Sequence, residues 1–262
     1  MTDNQQRLYQ DLAWMWPIIS PLRDYETESE DLTRVIHQVA RRPIKTLLHL
    51  GCGGGHHDFI FARHFAVTGV DLSEPMLALA RALNPQVTYI AGDMRTVRLG
   101  QSFDAVVIAD SIDYMLNQRD LRAAFRTAFE HLAPGGVFVT YAEIDREHFV
   151  PNQSFVSTEK QGDVEITILR NHYDPDPSDT TIEMTFVYLI RRGGKLTIET
   201  DRHLAGIFPL ATWKRLLDEV GFEVHALENE FGEPLFAGVR PLASKATLQA
   251  WEKVSKTQKR LN

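Results

Sequence analysis

From residue 44 onward, short apolar runs alternate with amphipathic stretches. The runs at 46–50, 66–71, 87–91, 104–109 and 136–141 have the length and character of buried strands. Between them, 58–65, 74–83 and 118–132 carry apolar residues at helical spacing, and in the last Leu121, Phe125, Phe129 and Leu132 form one stripe. Strands alternating with helices build βαβ units and hence a parallel sheet. The punctuation agrees. Ser73 with Pro75 close behind marks a helix start, and Leu132-Ala133-Pro134-Gly135-Gly136 reads as a helix stop before the strand at 136.

After residue 150 the period changes. Residues 164–204 alternate with period two, interrupted by turn signals at 174–180 and at Gly193-Gly194. Ile182, Met184, Phe186, Tyr188 and Ile190 fall on one face, so the segment predicts an antiparallel β-meander set into an α/β domain. A helix bearing Trp213, Leu216, Leu217 and Val220 follows, then two more strands. Residues 1–43 are expected to be mostly helical, with the aromatic residues Tyr9, Trp14, Trp16 and Tyr25 clustered there. The chain divides into an N-terminal helical lid (1–43), an α/β binding core (44–149), an antiparallel cap (150–205), the completion of the core sheet (206–240) and a helical tail (241–262).

Composition narrows the class of partner. Hydrophobic residues make up 44% and charged residues 24%, as in ordinary globular proteins. A net charge of −7 argues against a nucleic-acid partner. No run approaches the ~18 apolar residues of a membrane span, and the polar start resembles no secretory signal. The single Cys52 excludes an internal disulfide and fits a reducing cytoplasm.

The candidate chemistry begins at "HLGCGGGHHDF", residues 49–59, where a strand runs into four glycines and then a helix. Such a turn lets backbone approach a ligand at the carboxyl edge of the sheet. Asp71 ends the next strand, 20 residues after Gly51, the place for a carboxylate that accepts hydrogen bonds from ribose hydroxyls. An NAD-type cofactor and S-adenosylmethionine (SAM) both fit this much. The third glycine comes one residue early for the dinucleotide fingerprint, with His56 at the expected site. Asp93 of "AGDM" then follows the third strand, and polar groups of "ADSIDYM" follow the fourth.

Together with "LHLGCGGG", "VTGVDLSEPML" and "HLAPGGVFV", these motifs resemble, in order, those of class I SAM-dependent methyltransferases over residues 30–142. The resemblance implies a Rossmann-like, mostly parallel seven-stranded sheet whose two closing strands form a reversed edge, with the meander inserted as a cap. It places Gly51, Gly53 and Gly55 against the methionine moiety and ribose, and Asp71 on the ribose diol. Leu72 packs on the adenine, Asp93 and Met94 read its edge, and Met76 and Ala109 complete the cofactor set. One departure is His49, which stands where the family often has an acidic residue.

Beyond those motifs, the chain looks most like the N,N-dimethyltransferases of antibiotic aminosugars. The likeness lies in the segment ending "LRDY", the meander, "TDRHLAGIF" and the closing strands. It implies a meander that roofs the substrate, and Tyr114 at the position of a histidine near the acceptor amine. SAM already carries an activated methyl group, so alignment does most of the work, and a base helps to keep an amine unprotonated. The catalytic candidates are Tyr114, Asp113 and His203; Tyr25, Trp14 and His172 are candidates to contact the substrate. His56 and His57 are expected at the surface or the cofactor's edge. Histidines 49, 56, 57 and 64 match no familiar zinc spacing, so no metal is expected. The reading is a SAM-dependent methyltransferase acting on a small-molecule acceptor, an amine by preference. No nucleic-acid or membrane partner is expected, and the meander could also pair two copies as a homodimer. Alternatives are a small-molecule O-methyltransferase, an NAD-dependent oxidoreductase and a catalytically silent SAM-binding protein.

Overall fold

The computed structural model describes residues 6–242. Its main sheet has seven strands in the order β10-β11-β5-β4-β1-β2-β3, and a second sheet has four in the order β6-β7-β8-β9. The core strands are β1 (Thr46–Leu50), β2 (Ala66–Asp71), β3 (Thr88–Ala91), β4 (Phe103–Ile108) and β5 (Leu132–Tyr141). All five run parallel, while β11 (Pro234–Val239) lies antiparallel between β5 and the outermost β10 (Glu223–Glu228). The Rossmann-like architecture expected from the alternating pattern is therefore present.

Because side chains alternate across a strand, the apolar runs feed two cores. Leu47, Ala105, Val107 and Val139 face α2 (Glu26–Val39), α3 (His56–Phe61) and α4 (Glu74–Leu83) through Ile36, Phe61 and Leu77. Leu48, Val106, Ile108 and Phe138 face α5 (Gln118–His131) and α6 (Leu210–Val220), where Phe125 and Trp213 are buried. The Ser73 side chain caps α4 by accepting from Met76 N–H at 3.2 Å.

Several boundaries moved. β5 starts at Leu132, directly after α5, so the proline and glycines read as a helix stop are themselves strand residues, with Gly135 at φ 78°. The helix expected at 58–65 is α3, two residues earlier and shorter. The N-terminal lid is only partly helical: α1 (Trp16–Ile19) and three 3-10 turns precede the one long helix, α2. The expected tail falls mostly at 243–262, outside the described residues.

The cap has four strands: β6 (Gln153–Gln161), β7 (Val164–Tyr173), β8 (Thr181–Arg192) and β9 (Lys195–Gly206). β6 is too polar to announce itself in the sequence. The inward face carries Ile166, Ile182, Phe186, Tyr188 and Ile190, packed on Leu8, Leu12 and Met15 of the N-terminal segment. Among the described residues no helix is long and apolar enough to cross a membrane.

Candidate active site

The turn after β1 is shaped by glycine. Gly51, Gly53 and Gly55 have φ of 74°, 52° and 76°, a region that side-chain-bearing residues avoid. A Cβ at Gly51 would lie 1.9 Å from Ser111 Oγ. The turn is tied to β2 by Gly51 N–H and Cys52 N–H, which both donate to the Val70 carbonyl at 2.7 and 3.0 Å. At the end of β2, Asp71 accepts from Gly53 N–H and Ser73 N–H, both at 2.8 Å. Burial raises the Asp71 carboxyl despite these donors.

This turn floors a cavity of about 360 Å³. Of the expected cofactor residues, Gly51, Gly53, Asp71, Leu72, Met76, Asp93, Met94 and Ala109 all line it. Leu72 is 72% exposed and offers an apolar surface at the mouth. Asp93 is held below the usual carboxylate range by Arg95, whose guanidinium also reaches Asp120 at 3.2 Å. Gly55 is the exception. It faces away from the cavity, where a Cβ would meet Tyr89 Oη at 2.6 Å and Asn84 Nδ2 at 2.8 Å, and its carbonyl accepts from Asn84 at 2.7 Å. Its role is to let α3 pack against α4.

The histidines are not at the surface. His56 and His57 are buried, and burial lowers both to about 4, so they are neutral at pH 7. Trp16 Nε1–H donates to His56 Nδ1 at 3.2 Å. His49 Nδ1 pairs with the buried Asp58 Oδ1 at 2.7 Å, while His49 Nε2, also buried, has no hydrogen-bond partner among the described residues. At this departure from the family pattern, the histidine lines the cavity and the buried Asp58 stands behind it. Burial pushes the Cys52 thiol well up, consistent with a small spacer and not a nucleophile.

A second cavity, about 400 Å³, lies beneath the cap sheet. It shares Tyr9, Trp16, Tyr25, Asp110 and Tyr114 with the first. Of the catalytic and substrate candidates, Tyr114, Asp113, His172 and Tyr25 line it. His203 does not. It is fully buried behind Tyr114, which it meets through Nδ1 at 2.8 Å, and its Nε2 lies 2.8 Å from Asp201 Oδ2. Asp201 is held below the usual range, and it is an acceptor. His203 Nε2–H therefore donates to Asp201, while Nδ1 meets the Tyr114 hydroxyl, which is also hydrogen-bonded to Tyr9 Oη at 2.7 Å. Trp14 is also outside both cavities, 40% exposed beneath Arg192, whose Cζ is 5.1 Å from its ring centre. Trp16 faces the cavities instead.

Residues that the sequence reading missed include Tyr9, Asp201, Glu28, Asp110 and Glu143. Glu143 lies just beyond the carboxyl end of β5, the edge where ligands of such sheets bind, and could have been found by that position. Glu28, in the first turn of α2, carried no comparable signal. Glu28, His57 and Asp110 also bring one donor atom each within 4.8 Å of one another.

A strand order with one reversed strand beside β5, a glycine turn after β1 and a carboxylate at the tip of β2 define the class I SAM-dependent methyltransferase architecture. A family model described as a methyltransferase domain matches residues 47–136. A Streptomyces venezuelae dTDP-3-amino-3,4,6-trideoxy-alpha-D-glucopyranose N,N-dimethyltransferase is 33% identical over 222 residues, 83% of this chain and 92% of its own. The crystal structure of Streptomyces venezuelae DesVI superposes with a TM-score of 0.78 at 28% identity, covering 92% of this chain and all of that one. SAM-bound CalS10, an amino pentose methyltransferase from Micromonospora echinaspora, gives a TM-score of 0.76 at 26% identity, with 92% and 100% coverage. The chain belongs to the SAM-dependent methyltransferases, in the family of the sugar N,N-dimethyltransferases. The cavity suits that cofactor: its floor is bare backbone, Asp71 offers a carboxylate, and His49 Nε2 is an unanswered polar atom in its wall.

Proposed function

We propose that the glycine-turn cavity holds SAM and that the roofed cavity receives a small-molecule amine, the methyl group passing across their shared wall. The observation that carries this reading is the common boundary of Tyr9, Trp16, Tyr25, Asp110 and Tyr114 between two cavities of ligand size. Of the relatives' named acceptors, the amino group on a small ring is what we carry over. Bound SAM supplies a methyl group already activated by positive sulfur. Gly51 and Gly53 would pass the methionine portion and ribose, Asp71 would hold the ribose diol, and Leu72, Met76, Asp93 and Met94 would enclose the adenine. Ala109 would stand at the sulfonium end.

The chain's own groups then hold the amine and remove its proton. Tyr114 Oη, fixed by Tyr9 and His203, keeps a lone pair toward the chamber and orients an amine N–H. Burial pushes its own ionisation well up, so it remains a neutral hydroxyl. Tyr114 is the catalytic residue of this reading, and His203 a positioning residue backed by Asp201. Asp113, raised by burial, Tyr25 and the neutral His172 complete the wall. Burial, then the charge of Asp110, lifts Glu143 to about 7 and Glu28 to about 8, which suits them as proton acceptors near neutral pH. One buried, unpaired cysteine fits action in the reducing cytoplasm. Transfer of labelled methyl from SAM to a panel of cyclic amines and their hydroxyl analogues tests the reading. Amines are expected to be methylated, whereas labelling of the hydroxyl analogues alone would refute it.

A further inference from the structure

The charge of the roofed chamber is lopsided. Glu28, Asp110, Asp113, Glu143 and Glu233 line it, against Arg170 as the only arginine or lysine among the described residues that line it. His172 adds no charge at neutral pH, because burial and Arg170 lower it. Carboxylates gathered with so little countercharge repel one another, and Glu28, Asp113 and Glu143 are each raised first by burial and then by neighbouring negative charge, Asp110 and Glu233 acting on all three. The chamber also holds unanswered polar atoms: Asp113 Oδ1 and Tyr188 Oη are buried, line the chamber and have no hydrogen-bond partner. A buried acceptor or hydroxyl in that state awaits a donor.

Resting on the amine reading above, we infer that the acceptor is a free polycationic amine, a small ring carrying two or more amino groups and no phosphate. One amine is presented at Tyr114, and a second, kept as ammonium, answers the carboxylates deeper in the chamber. A diphosphate tether would bring negative charge to a wall that has one arginine to receive it. This sets the chain apart from relatives whose named acceptors are dTDP-linked sugars.

The test is calorimetry on the full chain saturated with S-adenosylhomocysteine, in EDTA, at 50 and 300 mM salt. The probes are 2-deoxystreptamine, which carries two amino groups, and a dTDP-linked 3-aminosugar. The diamine is expected to bind at least ~10-fold more tightly, and to lose ~5-fold or more on raising the salt. In Glu143→Gln/Glu233→Gln that preference should narrow, with an unchanged S-adenosylhomocysteine titration reporting that the fold survives. Tighter binding of the dTDP-linked sugar, or no binding of the diamine, overturns the inference. Diamine binding that needs Mn2+ in place of EDTA overturns it too, since the carboxylates would then serve a metal. Parallel methyl-transfer assays separate the two levels. Methylation of the dTDP-linked amine alone keeps the amine reading and sinks this inference, whereas methylation of a hydroxyl analogue alone sinks both.

Discussion

The glycine-turn cavity and the roofed chamber are close in size, about 360 and 400 Å³, yet they are made from different parts of the chain. The floor of the first comes from the core, between His49 and Arg95 and from Ala109 to Ser111 after β4, with Tyr9, Trp16 and Tyr25 added from the N-terminal segment. The second is built from side chains that arrive from the N-terminal segment, α2, the turn after β4, β5, the cap and the loop at Glu233. A cofactor common to a large family can be held by a standard turn. An acceptor must be recognised by groups that vary, and these come from elements brought together only by folding.

The comparison breaks first at Gly51. Gly51→Ala puts a Cβ at positive φ and against Ser111, so S-adenosylhomocysteine affinity and turnover should both fall, on the order of 100-fold. Tyr114→Phe removes the hydroxyl at the shared wall and should lower kcat about 10- to 100-fold while leaving S-adenosylhomocysteine affinity unchanged. Asp201→Asn acts one step further back. It should lower kcat about 10-fold by disturbing the His203 tautomer, with the pH–rate profile displaced relative to wild type.

A smaller effect concerns stability and pH. Glu143 and Glu28 have folded values raised above the ordinary carboxylate value of 4.5, so between about 4.5 and 8 the folded state binds more protons than the unfolded one. Their contribution to stability is present at the acid end and declines as pH rises through that window. His56 and His57, lowered to about 4, act oppositely, losing stability as pH falls from 6.5. Thermal unfolding of the ligand-free protein should therefore peak in mildly acidic buffer, and Glu143→Gln should flatten the alkaline side by a few degrees. The smallest effect is expected of Trp14→Ala, under ~2-fold in kcat/KM, because that ring stands outside both cavities.

The same division governs what could be read from the sequence. The strands of the core, the turn at Gly51 and the carboxylate at Asp71 were legible because apolar runs, glycine and a strand-end acid each have a local physical signature. Tyr114 was picked out by the resemblance, Asp113 by its place after β4 and His172 by its place in the meander, and all three line the roofed chamber. The meander's inward face followed from alternation in β8, whereas β6, with polar residues on both faces, left no such trace. His203 was expected to reach the pocket from the roof; alternation could not say that Tyr114 would stand between it and the cavity. Gly55 was grouped with Gly51 and Gly53 by the resemblance, although a Cβ there would point toward Tyr89, Asn84 and Ala80. Trp14 and Trp16 are two residues apart on irregular turns, where no periodicity tells which ring faces inward. Glu28 and Asp201 became visible only through the tertiary contacts that bring them to the site.

The central claim is that one cavity holds the cofactor and the other directs the chemistry across a shared wall. Parallel titrations of Asp71→Ala and Tyr114→Phe with S-adenosylhomocysteine, each paired with a methyl-transfer assay, address it most directly. The account predicts that Asp71→Ala loses affinity at least ~10-fold, whereas Tyr114→Phe binds as wild type and transfers poorly. Full turnover in Tyr114→Phe, or equal loss of cofactor affinity in both variants, would contradict it.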